Sequence, residues 1–177
     1  MARSDNNSLS TLFALTAQVP KVEFITNDLI DRTIAKARES SRRRMNYNLH
    51  SDEADPVNRL LNAMQRGTFV PVHRHLSPAL SESCVVLRGR VGVIIYDDCG
   101  QVMERRLVGV GADACGFDIE AGIWHGLVVL EDDTVLFEVK QGPYAPLSAE
   151  TIAPWSPDAQ DEEAVAEFVK ALEQSFE

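Results

Sequence analysis

Cysteine is scarce in this chain and poorly placed for cross-linking. Cys84, Cys99 and Cys115 are odd in number and form no C-x-x-C pair, which excludes a disulfide framework and speaks against a cysteine-based zinc site. Long hydrophobic runs are missing too: nothing approaches the ~20 apolar residues of a membrane helix. The N-terminus has one early Arg and only a short apolar patch, LFALTA, so no signal peptide is expected and the chain reads as cytoplasmic. Positive charge is in deficit, with 17 Lys and Arg against 27 Asp and Glu and a net charge of −10. Broad contact with nucleic acid or an anionic membrane is therefore not expected.

What remains is an ordinary globular composition, 45% apolar and 25% charged over 177 residues, enough for one well-packed domain and too short for two. Three stretches divide it: an N-terminal extension over 1–50, a strand-rich body over 51–145 and a C-terminal extension over 146–177. Arg38, Arg42, Arg43 and Arg44 form the one basic cluster, and the acidic excess of DAQDEE is explained by a solvated face.

In the first stretch Asn27 or Asp28 can cap a helix carrying Ile30, Ile34 and Ala37 at helical spacing. RRRMNYNLH then alternates as a half-buried strand, with Met45, Tyr47 and Leu49 opposite a polar stripe of Arg44, Asn46, Asn48 and His50. From Val57 to Tyr144 come eight short strand-like runs, TFVPVHRH among them, each bounded by Gly, Asp, Pro or Ser. That rhythm indicates an all-β sandwich or barrel rather than βαβ units. DDCGQ and LEDDT read as hairpin turns. Runs such as VGVIIY are apolar on both faces, so one face fills a barrel and the other is covered by flanking helices or a partner subunit; a homodimer is expected. Near the C-terminus Ser156-Pro157 is a helix start signal, followed by an apolar stripe of Val165, Phe168, Val169 and Leu172.

Histidine is rare as well, four in the whole chain, yet His73 and His75 stand with one residue between them. On a strand, i and i+2 share a face about 7 Å apart, so the two rings project together. They are either hydrogen-bonded polar residues at a strand end or two ligands of a metal. Glu82 follows the turn LSPALS and, in an antiparallel hairpin, folds back beside the pair. His125, in EAGIWHG, leads a later strand. Imidazole nitrogens with one carboxylate suit first-row divalent metals.

Residues 67 to 89 resemble the first motif of the cupin family, G-x5-H-x-H-x(3,4)-E-x6-G, with Gly67, His73, His75, Glu82 and Gly89 in its positions and six residues rather than three or four before Glu82. GFDIEAGIWH resembles the second motif through Gly122 and His125, with Glu120 where that motif has Pro and Val129 where it has Asn. The segments RRRMNYNLH, NRLLNAMQRGTFVPVHRH, VLRGRVGV, FEVKQGPY and APWSP are similar to WbuC-type cupin-fold metalloproteins, whose genes often lie with those of bacterial surface-polysaccharide biosynthesis. The resemblance implies an all-β cupin jelly-roll barrel with flanking helices. It also implies His73, His75, Glu82 and His125 as ligands of one divalent transition metal (Fe, Mn, Ni or Zn).

Such a metal retains open positions for a substrate oxygen. Arg44, Asn46, Asn48, Arg59 and Asn62 are candidates to bind a small polar molecule, Arg59 and Asn62 lying on opposite faces of one strand. A solvated edge strand explains the polar stripe equally. Glu138, Lys140 and His50 are candidate general bases, although Glu138 and Lys140 share a face and also read as a structural ion pair. Cys84 has the parity of Glu82, and Trp124 points away from the metal side. The functions these residues suggest are a metal-dependent isomerase, epimerase or oxygenase on a sugar-derived or acidic metabolite, a non-catalytic binding or sensing cupin, and an accessory protein of a biosynthetic complex.

Overall fold

The computed structural model describes residues 22–76 and 78–177. The LFALTA patch and the N-terminus read for a signal lie outside the described residues. The element order is α1 (Asn27–Glu39), β1 (Arg44–Asn48), β2 (Val57–Met64), β3 (Glu82–Arg88), β4 (Arg90–Tyr96), β5 (Val102–Gly109), β6 (Gly116–Ile119), β7 (Trp124–Val129), β8 (Thr134–Gln141) and α2 (Glu162–Gln174). The strands form two antiparallel sheets, one ordered β1-β2-β8-β3-β6 and the other β5-β4-β7. Neither helix is long and apolar enough to cross a membrane.

The period-2 patterns place the inner faces. In the large sheet Leu60, Asn62 and Met64 of β2 point inward, opposite Glu138, Leu136 and Thr134 of β8. In the small sheet Val91, Val93 and Ile95 of β4 face inward beside Val129, Leu127 and His125 of β7. Met64, Cys84, Val86, Val91, Val93, Val108, Val129 and Leu136 fill the space between the sheets as one apolar cluster. Each helix covers part of one outer face, as two-faced apolar strands require. Leu29, Ile30, Ile34 and Ala37 of α1 pack on Leu61, Ala63 and Val135, with Met45 and Tyr47 of β1. Val165, Phe168, Val169 and Leu172 of α2 join Ile94, Tyr96, Trp124 and Val128, so Trp124 does point away from the barrel interior.

Several local expectations are corrected. Thr26, not Asn27 or Asp28, caps α1: its extended backbone lets its hydroxyl accept from the Leu29 N–H at 3.2 Å. Helix α2 starts later than Ser156-Pro157 and is capped by Asp161, whose carboxylate accepts from the Ala164 N–H at 3.1 Å. Ser156 instead accepts from the Val72 N–H. DDCGQ is a hairpin turn, closed by Asp97, whose carboxylate accepts from the Cys99 and Gln101 N–H groups. LEDDT is not one: it carries the chain from β7 in the small sheet to β8 in the large one. Eight strands exist among the described residues, but β1 is one of them and residues 68–75 are not. Pro71 brings no N–H to a ladder, and this segment pairs only through isolated bridges from His73 to His125 and to Ile152.

Candidate metal centre

The single bridge between the first histidine and β7 places two of the imidazoles. His73 and His125 exchange both backbone hydrogen bonds, each 2.9 Å, so they are directly opposed and present their side chains on one face. Their ring centroids are 4.3 Å apart. His75, two residues on, keeps the same side with its ring 5.0 Å from that of His73. Its carbonyl accepts from the Gly122 N–H at 2.9 Å, which ties the turn before His125 to the first histidine pair. Gly122 sits at φ +84°, a left-handed backbone that side-chain-bearing residues resist.

Glu82 reaches these rings from the opposite sheet. It does not fold back in a hairpin: residues 73–75 and 82 share no ladder, and Glu82 pairs with Lys140 of β8 and Ile119 of β6. Before it Leu76 is bridged to Ala79, and the chain leaves one sheet and enters the other. The metal-ligating atoms of His73, His75, Glu82 and His125 all lie within 4.8 Å of one another. Three donors thus come from the small-sheet side and one from the large sheet.

Hydrogen bonding and burial prepare these groups as ligands. Nδ1 of His73 lies 2.9 Å from the Pro71 carbonyl oxygen, and Nδ1 of His125 lies 2.9 Å from that of Ile123. A carbonyl accepts only, so each Nδ1 carries the proton and the Nε2 of the neutral ring is a bare lone pair. Nε2 of His125 and of His75 stand 2.9 and 3.3 Å from the Glu82 oxygens. Both are buried, and neither makes a hydrogen bond of acceptable geometry. Burial, with His125 beside it, pushes the His73 imidazole down to about 3, which keeps it neutral. Burial alone would raise the Glu82 carboxyl, but His125 and His75 outweigh it and hold the group well below the usual carboxylate range. Three converging imidazoles and one ionised carboxylate form a donor set that fits a divalent cation.

A cavity of about 250 Å³ opens beside the cluster. Lys140 is in its wall, 3.5 Å from Glu138 and 4.0 Å from Glu82, so the shared face of Glu138 and Lys140 is an ion pair inside the barrel. Burial and the Glu82 charge raise the Glu138 carboxyl. Cys84 lines the wall, and burial pushes its thiol up, which leaves it an inert apolar neighbour. Of the substrate candidates, Arg44, Asn46 and Asn62 line the cavity. Asn48 and Arg59 do not; Arg59 points outward, 3.9 Å from Asp55. His50 is also elsewhere, its Nδ1 within hydrogen-bonding distance of the Arg59 backbone, so it is no candidate base. Sequence reasoning missed Phe117 and Ile119 of β6 in the wall, because their positions opposite Cys84 and Glu82 are set by strand pairing that no sequence pattern records. Tyr144 and Leu147 come from irregular chain that has no periodicity to read.

Residues 25–108 match a family described as a domain of unknown function, DUF6016. No curated protein sequence matches the chain. Among solved structures it is similar to BH2720 from Bacillus halodurans, at TM-score 0.50 and 20% identity over 78% of this chain and 92% of that one. It is also similar to recombinant oxalate oxidase in complex with glycolate, at TM-score 0.47 and 20% identity over 77% and 74%. The cupin domain of Cnp3 from Schizosaccharomyces pombe shows TM-score 0.42 and 15% identity over 55% and 64%. At such identities the likeness concerns the fold. With eight strands in two facing antiparallel sheets and a helix toward each end, that fold is the cupin barrel.

Proposed function

We propose that this protein is a metal-dependent cupin of the WbuC type that acts on a small polar, sugar-derived or acidic metabolite in surface-polysaccharide metabolism. The observation that carries the metal reading is the convergence of four ligating atoms within 4.8 Å of one another, with the buried Nε2 atoms of His75 and His125 left without a hydrogen-bond partner. His73, His75, His125 and Glu82 would hold the ion. A divalent metal so bound supplies Lewis-acid polarisation of a carbonyl or hydroxyl, or a site for O2 if it is iron.

The chain's own residues do the rest. Glu138, whose carboxyl is raised by burial and by the Glu82 charge, stands at the cavity wall as the group suited to exchange a proton with the ligand. Lys140 lies between Glu138 and Glu82 and keeps two carboxyl groups in one apolar barrel from repelling each other. Val93, Leu127 and Leu136 exclude water from the side of the cavity away from the cluster. The WbuC assignment is supported by the sequence segments quoted above, and the exposed Val85 and Leu87 on the outer face of β3 suit the homodimer.

Elemental analysis of purified protein is the direct test. One transition metal per chain is expected in the wild type and none in His73→Ala. A wild type that stays metal-free after incubation with Fe, Mn, Ni and Zn ions would overturn the proposal. Metal with no turnover on sugar nucleotides and oxo acids would favour a binding cupin over an enzyme.

A further inference from the structure

The cavity has a second polar end, built on β1 and β2. Arg42 and Arg44 both line it, as do Asn46 of β1 and its cross-strand partner Asn62 of β2. Arg44 is half-buried and donates through Nη1 to the Phe69 carbonyl. Among the described residues, ion pairs engage Arg32, Arg38, Arg59, Arg66, Arg74, Arg88, Arg90 and Arg106; Arg42 and Arg44 have no carboxylate within reach and, unlike the likewise unpaired Arg43 and Arg105, line the cavity. The two acids in the cavity, Glu82 and Glu138, are turned toward Lys140 and the histidines instead. In a chain with net charge −10, two unpaired guanidinium groups at one cavity end are not a shortage of acids. Desolvating a cation without a counter-charge is costly, and burial with the Arg42 charge beside it lowers the Arg44 pKa. Asn62 adds a buried amide oxygen with no hydrogen-bond partner.

We propose that this end of the cavity is an oxyanion subsite. Arg44 and Arg42 take the carboxylate or phosphate of the ligand, and Asn62 with Asn46 takes a hydroxyl next to it. The ligand is then a small hydroxylated acid or phosphorylated polyol, held by its charged end away from the histidine cluster. A forked guanidinium fits either oxyanion through two parallel N–H···O bonds, which a lysine would not match. The subsite and the histidine cluster are tied to one short segment. Arg44 grips Phe69, and Phe69 lies four residues before His73, a span of at most about 14 Å. The inference rests on the cavity being a ligand site, as proposed above, but does not require the metal.

Isothermal titration calorimetry with inorganic phosphate, D-gluconate, D-glucose 6-phosphate and neutral D-glucose tests it on wild type, Arg44→Gln, Arg44→Lys, Arg42→Gln and His73→Ala. At least one anion should bind the wild type while glucose does not, and the tighter of gluconate and glucose 6-phosphate identifies the oxyanion as carboxylate or phosphate. Arg44→Gln should weaken that binding by about tenfold or more, the scale of a lost charge-assisted pair, with Arg44→Lys in between. Metal content should stay at the wild-type level and the melting temperature should fall only by about 2–4 °C for the lost Phe69 hydrogen bond, whereas a merely structural role would leave the anion affinity of the folded variant unchanged. Should Arg44→Gln fail to fold, Arg42→Gln carries the test, because its exposed side chain has no protein partner. His73→Ala should keep the anion affinity, and its metal content reports separately on the metal reading. No anion binding to the wild type, equal binding to the folded arginine variants, or binding lost in His73→Ala alone would overturn the subsite.

Discussion

The same three strands carry opposite chemistry at their two ends. On β3 Glu82 faces the cavity and Val86, four residues on, faces the apolar core; on β7 the pair is His125 and Val129; on β8 it is Lys140 and Leu136, which belongs to that core and closes the cavity against it. Each pair shares one face of one strand at about 13 Å separation. At the histidine end buried polar atoms lack partners; at the other, Val91, Val108, Val129 and Leu136 are almost wholly excluded from solvent. A barrel tolerates an end dense with unpaired lone pairs because its other end and two helix-covered outer faces supply the stability.

If that division holds, mutations at the two ends separate function from folding. The largest effect is expected for His125→Ala. Losing a ligand should cost more than the ~100-fold in metal affinity typical of losing an outer partner, read by competition with a chelator, while the barrel still melts cooperatively. Leu136→Ala should do the reverse: a loss of about 2–5 kcal/mol in urea unfolding for a buried leucine truncation, with one metal still bound per chain.

Acid should strike the histidine end. An unfolded His73 takes up a proton as pH falls below its ordinary value of 6.5, whereas the folded ring resists to about 3. Between those values the unfolded chain binds the extra proton, so stability of the metal-free protein declines as pH drops. Glu82, held low in the folded state, contributes stability that is likewise lost in acid. Unfolding free energies that stay flat from pH 7 to pH 4 would contradict a buried neutral cluster. The smallest effect belongs to Gly122→Ala. An added methyl meets only Leu76 Cδ1 at 3.5 Å, so the cost is the left-handed backbone alone, about 1–2 kcal/mol, checked by thermal melting.

Much of this site was legible as text. Spacing put His73 and His75 on one side, parity put Glu82 and Cys84 on one face, and one motif glycine, Gly89, stands where a side chain does not fit: a methyl there would lie 2.2 Å from Thr134 Oγ1. The strand read at TFVPVHRH was a misreading of the same pattern, since alternation survives in a segment that Pro71 keeps out of the ladder. His50, Asn48 and Arg59 show the limit more plainly. They carry the right chemistry but lie outside the cavity: Arg59 is on the outward face of β2, and for Asn48 and His50 alternation says which residues share a face and not how far along the barrel the cavity runs.

By itself, then, the amino-acid order determined the strand-rich barrel, the two helices and the residue types able to bind a metal, because periodicity and turn chemistry are local properties. Only the tertiary structure decided that Glu82 meets the histidines across the barrel rather than through a hairpin, and that LEDDT joins two sheets. It alone also brought Arg42 and Arg44 to the same cavity. These depend on the order in which strands associate, and burial of apolar faces between sheets sets that order over separations that no short sequence pattern records.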